Sequence, residues 1–281
     1  RNIMKVKIDT NVIFTEFFKL SDWKQRSLGI GGMYLIISVL GMALFALTIF
    51  LMLGDLLFAF LLFLVIGLIL LVTHLIVQFY LAGYKLDLVK VMQHDGQIES
   101  VAHLADYGRR ITQGFKLNLS QLAYILIPTL ILFVGSFVNS FSSQFMETTE
   151  DPLSAEYWIF LISGNAVVWL GTFLQFLTRL LFFPLLTARF INNEGRIADT
   201  INMNAVLNAI KSNFKEILIV GGLIFLAQTI VMFAIYMSAF FILLCVGLFL
   251  LPVALSVGTV YMQHFEARRV TSLVNSSVVK E

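Results

Sequence analysis

The sequence predicts an all-α integral membrane protein: six transmembrane helices as three hairpins, each preceded by a cytoplasmic amphipathic helix in the membrane interface, in a pseudo-threefold repeat. Three observations carry this reading. Hydrophobic residues are 59% of the 281 residues and charged residues 13%, and the mean hydropathy is +0.89, far outside the range of soluble domains. The charges gather in short stretches, leaving apolar runs long enough to cross a bilayer, which takes about 20 residues. Finally, one pattern occurs twice. Residues 96–116 and 195–215 both open on Gly-x-Ile, pass a polar residue suited to cap a helix (Ser100, Asp199) and close on Phe-Lys (Phe115-Lys116, Phe214-Lys215).

Up to Arg26, six basic residues surround a short apolar patch, Val12, Ile13, Phe14, Phe17 and Phe18. This predicts a first interfacial helix ending in a turn at Ser21-Asp22, and no cleavable signal peptide. Between Arg26 and Lys85 the only charge is Asp55, after Gly54. That predicts spans over 28–52 and 57–80 joined by a tight turn, with Tyr80 at the interface. On a helix, residues 96–116 place Val101, Ala105, Gly108, Thr112 and Phe115 in one stripe and Glu99, His103, Asp106, Arg110 and Gln113 opposite.

Residues 117–146 carry no charge and predict a third span over 118–141, bent at Pro128, which lacks a backbone donor. An acidic connection (Glu147, Glu150, Asp151, Glu156) leads to a fourth span over 157–180, closed by Pro184. The second amphipathic segment puts Met203, Val206, Leu207, Ile210 and Phe214 on one side and Asn204, Asn208, Lys211 and Lys215 on the other. Residues 217–265 again lack Lys, Arg, Asp and Glu, predicting spans over 217–237 and 240–263 with a turn near 236–239 and a kink at Pro252. The tail from Glu266 reads as polar and flexible. None of the nineteen Lys and Arg falls in the connections near Asp55, Asp151 or Tyr236. By the positive-inside rule both termini and both amphipathic segments are cytoplasmic.

The chain thus reads as a single membrane domain, 1–281, with repeats over 1–84, 85–184 and 185–281. Trp23-Lys24 stands where Phe115-Lys116 and Phe214-Lys215 stand, and eight residues beyond each aromatic is a small residue, Gly31, Ala123 or Gly222, suited to close helix packing. Parallel repetition of this kind predicts pseudo-threefold packing about the membrane normal.

Gly83-Tyr84 after the second span, the Gly-x-Ile openings at Gly96 and Gly195, Trp23-Lys24 before Gly29-Ile30-Gly31-Gly32, and Pro184 closing the fourth span resemble a large family of six-helix prokaryotic membrane proteins known as a domain of unknown function. The resemblance covers nearly the whole chain. It implies that fold and a bacterial or archaeal cytoplasmic membrane, and brings no activity or catalytic residues.

Polar groups inside spans are functional candidates by default. His74 and Gln78 share a face, as do Gln175 and Arg179, and Asn139, Asn165 and Gln228 complete the set. Converging His74, Gln78, Asn165, Gln175 and Gln228 would line a polar path for a small solute or proton. Interhelical hydrogen bonds worth about 1 kcal/mol each are the simpler role, and no acidic residue lies within a predicted span. Arg179 is near enough to the cytoplasmic edge to snorkel.

Arg109, Arg110, Lys116, Arg196, Lys211 and Lys215 would sit at the cytoplasmic headgroup level, where anionic lipid or a partner protein would meet them; bracing the helix pairs is the plainer alternative. A near-neutral net charge of +2 makes no case for nucleic acid. The single cysteine, Cys245, excludes an internal disulfide. The four histidines lack metal-ligand spacing, and nucleophile-elbow and phosphate-loop motifs are absent. The sequence therefore predicts no enzyme and no cofactor. Asp87, His94, Asp95 and Glu99 form the one dense acid-base stretch, which a solvated loop explains. The expected function is a non-catalytic scaffold or accessory subunit of a membrane complex, contacting lipid and other membrane proteins or itself. The alternative is a small-solute or lipid transporter or channel with a polar path between the helices.

Overall fold

The computed structural model describes residues 15, 17–52, 56–94, 98–102, 104–148, 155–241 and 247–275. Among them all regular structure is helical. Helix α1 (Trp23–Arg26) passes through a π turn (Ser27–Gly31) into α2 (Gly32–Met52), which pairs with α3 (Leu56–Gln93). A 3-10 turn (Ile98–Ser100) precedes α4 (Tyr107–Thr148), which pairs with α5 (Ala155–Leu177); a second π turn (Thr178–Phe182) leads from α5 into α6 (Phe183–Asn192). A short α7 (Ile197–Thr200) precedes α8 (Met203–Phe240), which pairs with α9 (Gly247–Asn275). Four stretches, Phe60–Gln93, Tyr107–Phe141, Leu161–Asn192 and Met203–Phe240, are long and apolar enough to cross a membrane. Helix is the form such segments must take, because hydrocarbon offers backbone groups no other partner.

Burial divides the bundle into two ends. At one end, here called the polar end, Arg26, Asp87, Arg110 and Arg189 are buried among Tyr84, Leu88, Leu185, Ile217, Val260 and Leu273. Towards the other end the helices expose Phe58, Leu64 and Ile69 on α3, Phe133 and Phe137 on α4, Trp169 and Phe173 on α5, and Phe233 on α8. In water such exposure costs about 25 cal/mol per Å²; in lipid the cost vanishes.

The three helix pairs lock together in a cycle. Helix α4 packs on α3, α8 packs on the second π turn, and the first π turn packs on α9. A glycine lies at each junction: Gly114 against the carbonyl of Phe79, Gly221 against that of Leu180, and Gly31 against that of Ser256. A Cβ at any of these glycines would overlap that oxygen, so the backbones meet as closely as small-residue packing permits. Of the small residues predicted for close approach, only Gly31 has that role. Gly222 has open space around it and Ala123 is exposed; the close contacts fall at Gly221 and Gly114 instead.

Several other expectations are corrected. The helix that carries the second predicted span does not stop at Tyr80: α3 continues to Gln93, with Leu81, Tyr84, Leu86, Leu88 and Val89 packed into the polar-end core. The tail from Glu266 is helix to Asn275, with Ala267, Val270, Leu273 and Val274 buried at helical spacing. The predicted turn at 236–239 is helix, since α8 runs to Phe240. Pro128 and Pro252, where a bend and a kink are expected, lie inside α4 and α9 and end neither helix. The turn at Gly54-Asp55 and the patch residues Val12, Ile13 and Phe14 lie outside the described residues; Phe17 joins the core, edge-on to Trp23 and Tyr261.

The two amphipathic segments fold differently. In the first, Asp106 takes a left-handed φ of 51° and ends the irregular connection before α4. Both predicted sides are mixed: Val101 is buried but Gly108, Thr112 and Phe115 are exposed, and Asp106 is exposed but Arg110 is buried, because Asp87 and two tyrosines draw Arg110 inward. In the second, Val206 is buried and Ile210 half-buried, while Met203, Leu207 and Phe214 are exposed along with Asn204, Asn208, Lys211 and Lys215. It forms the first turns of α8, set off by non-helical geometry at Asn213 (φ −133°, ψ 28°). Its cap is Asn202, whose side chain accepts from the Ala205 amide at 3.3 Å, rather than Asp199. Gly195 acts as a stop: with Glu194 at φ 52° and Gly195 at φ 79°, their amides return to Ile191 and Phe190 (3.1 and 2.8 Å) and close α6.

Candidate functional site

The helices do not close completely on one another. They leave a central cavity of about 480 Å³, lined by residues of all three pairs and within the size range of small-molecule sites. Its wall is mixed. Leu81, Leu117, Ile224, Val231, Leu255 and Met262 supply apolar surface, and Gln78, Asn118, Gln121, Gln228 and Gln263 supply carboxamides. Arg179, Lys85 and Glu266 supply the charges. The Lys85 ammonium donates to Glu266 Oε2 at 2.7 Å, tying α3 to α9, with side chains 13% and 21% exposed. Gln121 donates to Thr187 Oγ1 at 3.3 Å. Gln263 Oε1 is buried and, among the described residues, has no hydrogen-bond donor. Arg179, Gln228 and Met232 are the exposed lining residues and mark the mouth.

Of the five residues predicted to line a polar path, Gln78 and Gln228 reach this cavity. His74 stands one turn from Gln78, with Nε2 3.4 Å from its amide nitrogen and its ring against Tyr34. Asn165 accepts from Asn139 at 3.3 Å, and Gln175 donates to Thr129 at 3.0 Å. Both bonds join α5 to α4, so these two serve hairpin packing. Gln121, Gln263 and the Lys85–Glu266 pair went unpredicted, because only the fold brings residues so far apart in sequence together.

Below the cavity lie three buried arginines, each holding a carbonyl of an inter-hairpin connection. Arg26 donates to Ile98 at 3.2 Å, Arg110 to Ala102 at 2.7 Å, and Arg189 to Asp199 at 3.0 Å. The Tyr124 hydroxyl adds a bond to the Ile201 carbonyl at 3.0 Å. Arg110 also donates to Asp87 (2.8 Å) and to the Tyr80 hydroxyl (2.7 Å) and lies over the Tyr84 ring. Arg109 binds the same carboxylate through both terminal nitrogens at 2.9 and 3.0 Å. Arg110 is therefore withdrawn from the predicted lipid or partner surface and Arg109 is engaged at its edge. Lys116, Arg196, Lys211 and Lys215 remain exposed. Asp87, from the dense acid-base stretch, is a structural counter-ion; Asp95, His103 and the Glu99 side chain lie outside the described set.

Arg26 belongs to a relay. It donates to Asp22 (2.7 Å) and to the Tyr84 hydroxyl (2.7 Å), which is 2.9 Å from His264 Nε2. A guanidinium only donates, so the phenol oxygen accepts from Arg26 and keeps its own proton, which a His264 Nε2 without a proton can take up as acceptor. Burial, reinforced by the Arg26 charge, pushes the His264 pKa down to about 3 and keeps the ring neutral. Burial opposes the charge on Arg26 as well, but its bonds to Asp22 and Tyr84 outweigh that, and its pKa is raised. A histidine so far from neutrality and outside the cavity is not poised for acid-base chemistry. Among the described residues no three of His, Cys, Asp or Glu converge as a metal site would require.

A family model described as a protein of unknown function (DUF4013) matches residues 66–242, more than half of the chain. The match runs from within α3 to the end of α8 and includes Gln78, Lys85, Gln121, Arg179 and Gln228 of the cavity wall. No curated protein matches, and no solved structure matches.

Proposed function

We propose, for a chain that belongs to the DUF4013 family of proteins of unknown function, that it is a carrier: a multi-pass membrane protein that takes up a small solute or lipid in its central cavity and moves it along or across the bilayer. The observation that carries this reading is the 480 Å³ cavity with its ring of carboxamides and charges. A bundle built only to dock partners has no need of polar groups around an internal space, and burying them without partners is costly. In this reading α2 and α9 cross the membrane with the four longer segments, making six spans in three repeats, and the cyclic glycine junctions support that arrangement. The polar end faces the cytoplasm, as the distribution of basic residues requires, in the cytoplasmic membrane of a prokaryote. Cysteine labelling near residues 151 and 198 checks the orientation; equal access from one side would refute it.

The test of the carrier is purification of the wild type and Thr259→Phe, which fills the cavity from α9, followed by native mass spectrometry. A small molecule retained by the wild type and lost from a folded Thr259→Phe supports the proposal. Identical spectra, with nothing retained by either, would sink it.

One observation favours the scaffold or accessory-subunit reading instead. The first turns of α8 expose Met203, Leu207 and Phe214 beside Lys211 and Lys215, with Arg196 just before them. Such a surface suits anionic lipid or a partner protein. A gentle-detergent pull-down giving stoichiometric partners that Lys211→Glu/Lys215→Glu releases would favour it.

A further inference from the structure

We infer that the ligand of the central cavity carries an oxyanion, a phosphate or carboxylate, held at the mouth by Arg179; this rests on the carrier reading above. The wall holds two cations and one anion. Glu266 neutralises Lys85 at 2.7 Å, while Arg179 has no ion pair among the described residues. One positive charge is therefore uncompensated in an otherwise neutral wall. A guanidinium offers a planar fork that matches two oxygens of a carboxylate or phosphate, which an ammonium does not.

The carboxamide of Gln228 stands at the same mouth, and that of Gln78 lies further in; both supply neutral donors. The buried Gln263 oxygen takes the opposite partner, a hydroxyl or N–H on the ligand. The mouth opens on the apolar belt: Phe176 and Phe225 meet edge to face at 5.0 Å between α5 and α8, and both are exposed, as is Phe233 beside Met232. That position suits an amphiphile whose anionic head turns inward to Arg179 while its chain stays in the lipid. A free phosphate-class anion shares the head-group chemistry.

The experiment separates the two sources. Wild type, Arg179→Gln and Arg179→Lys are reconstituted in nanodiscs of phosphatidylcholine with and without phosphatidylglycerol, and retained phosphatidylglycerol is counted by native mass spectrometry. In parallel, inorganic phosphate is titrated against thermal stability in detergent. A loss of phosphatidylglycerol retention of about tenfold in Arg179→Gln, partly restored in Arg179→Lys, supports the inference with a lipid as the source. A stabilisation by phosphate that Arg179→Gln abolishes supports it with a free anion as the source. Equal retention and equal phosphate response in wild type and Arg179→Gln overturn it. In that case the carrier reading still stands if Thr259→Phe strips a co-purifying molecule, and falls with it if nothing is bound.

Discussion

Replacing His264 by glutamine tests the relay at the polar end through the pH dependence of stability. In the folded protein the histidine pKa is about 3 against 6.5 for an unburied ring. Above pH 6.5 the ring is neutral in both states and contributes nothing to the pH dependence. As pH falls below that value the unfolded chain gains a proton that the native state does not accept, so stability is lost progressively down to about pH 3. Each pH unit corresponds to about 1.4 kcal/mol, so at pH 5 the loss reaches about 2 kcal/mol, or about 5 °C in melting temperature for a chain of this size. Glutamine still accepts from the Tyr84 hydroxyl but does not titrate. Asp22, Arg26 and Tyr84, the groups facing the ring, stay in place, so the difference between the two proteins isolates His264. Thermal unfolding in detergent between pH 7.5 and 5 is the assay. The wild type should lose about 5 °C more than His264→Gln; parallel pH profiles would refute the buried, neutral assignment.

Two further outcomes follow from packing and charge. Gly114→Val and Gly221→Val drive a side chain into the Phe79 and Leu180 carbonyls and should cost about 3 kcal/mol or more, seen as loss of monodisperse protein, whereas Gly222→Ala in open space should be neutral or stabilising by up to about 1 kcal/mol. Asp87→Asn takes from Arg110, only 2% exposed, its counter-charge and should lower stability by about 3–5 kcal/mol. The double variant Asp87→Leu/Arg110→Leu should recover part of that; a melting temperature below that of Asp87→Asn would show that the pair is worth more than its desolvation.

Much of the helical plan was legible because apolar runs and charge placement are local signals. The predicted spans over 118–141 and 217–237 fall within α4 and α8. What sequence could not give was where helices stop once protein replaces lipid as their surroundings. Leu86, Leu88 and Val89 lie beyond the predicted end of the second span at Tyr80, among Lys85, Asp87 and Lys90, yet neighbouring helices bury all three. Helical period alone puts Arg110 on the polar side, at headgroup level; a buried carboxylate 23 residues earlier decides otherwise. For the cavity, Gln78 and Gln228 stood out as polar residues in apolar runs. Gln263 and Glu266 did not, because they were assigned to the edge of the sixth span and a flexible tail.

The cyclic arrangement of the helix pairs has a consequence for biogenesis. The π turn that leads into α2 is sealed against α9, far along the sequence, through Gly31 and Ser256. Until α9 is complete, Tyr84 has no His264 beside it, and Lys85 and Met92 on α3 lack Glu266 and Thr271. Synthesis in order thus leaves the cycle of helix pairs open on the side of Arg26 and Tyr84. Helix α9 is the keystone that closes that gap.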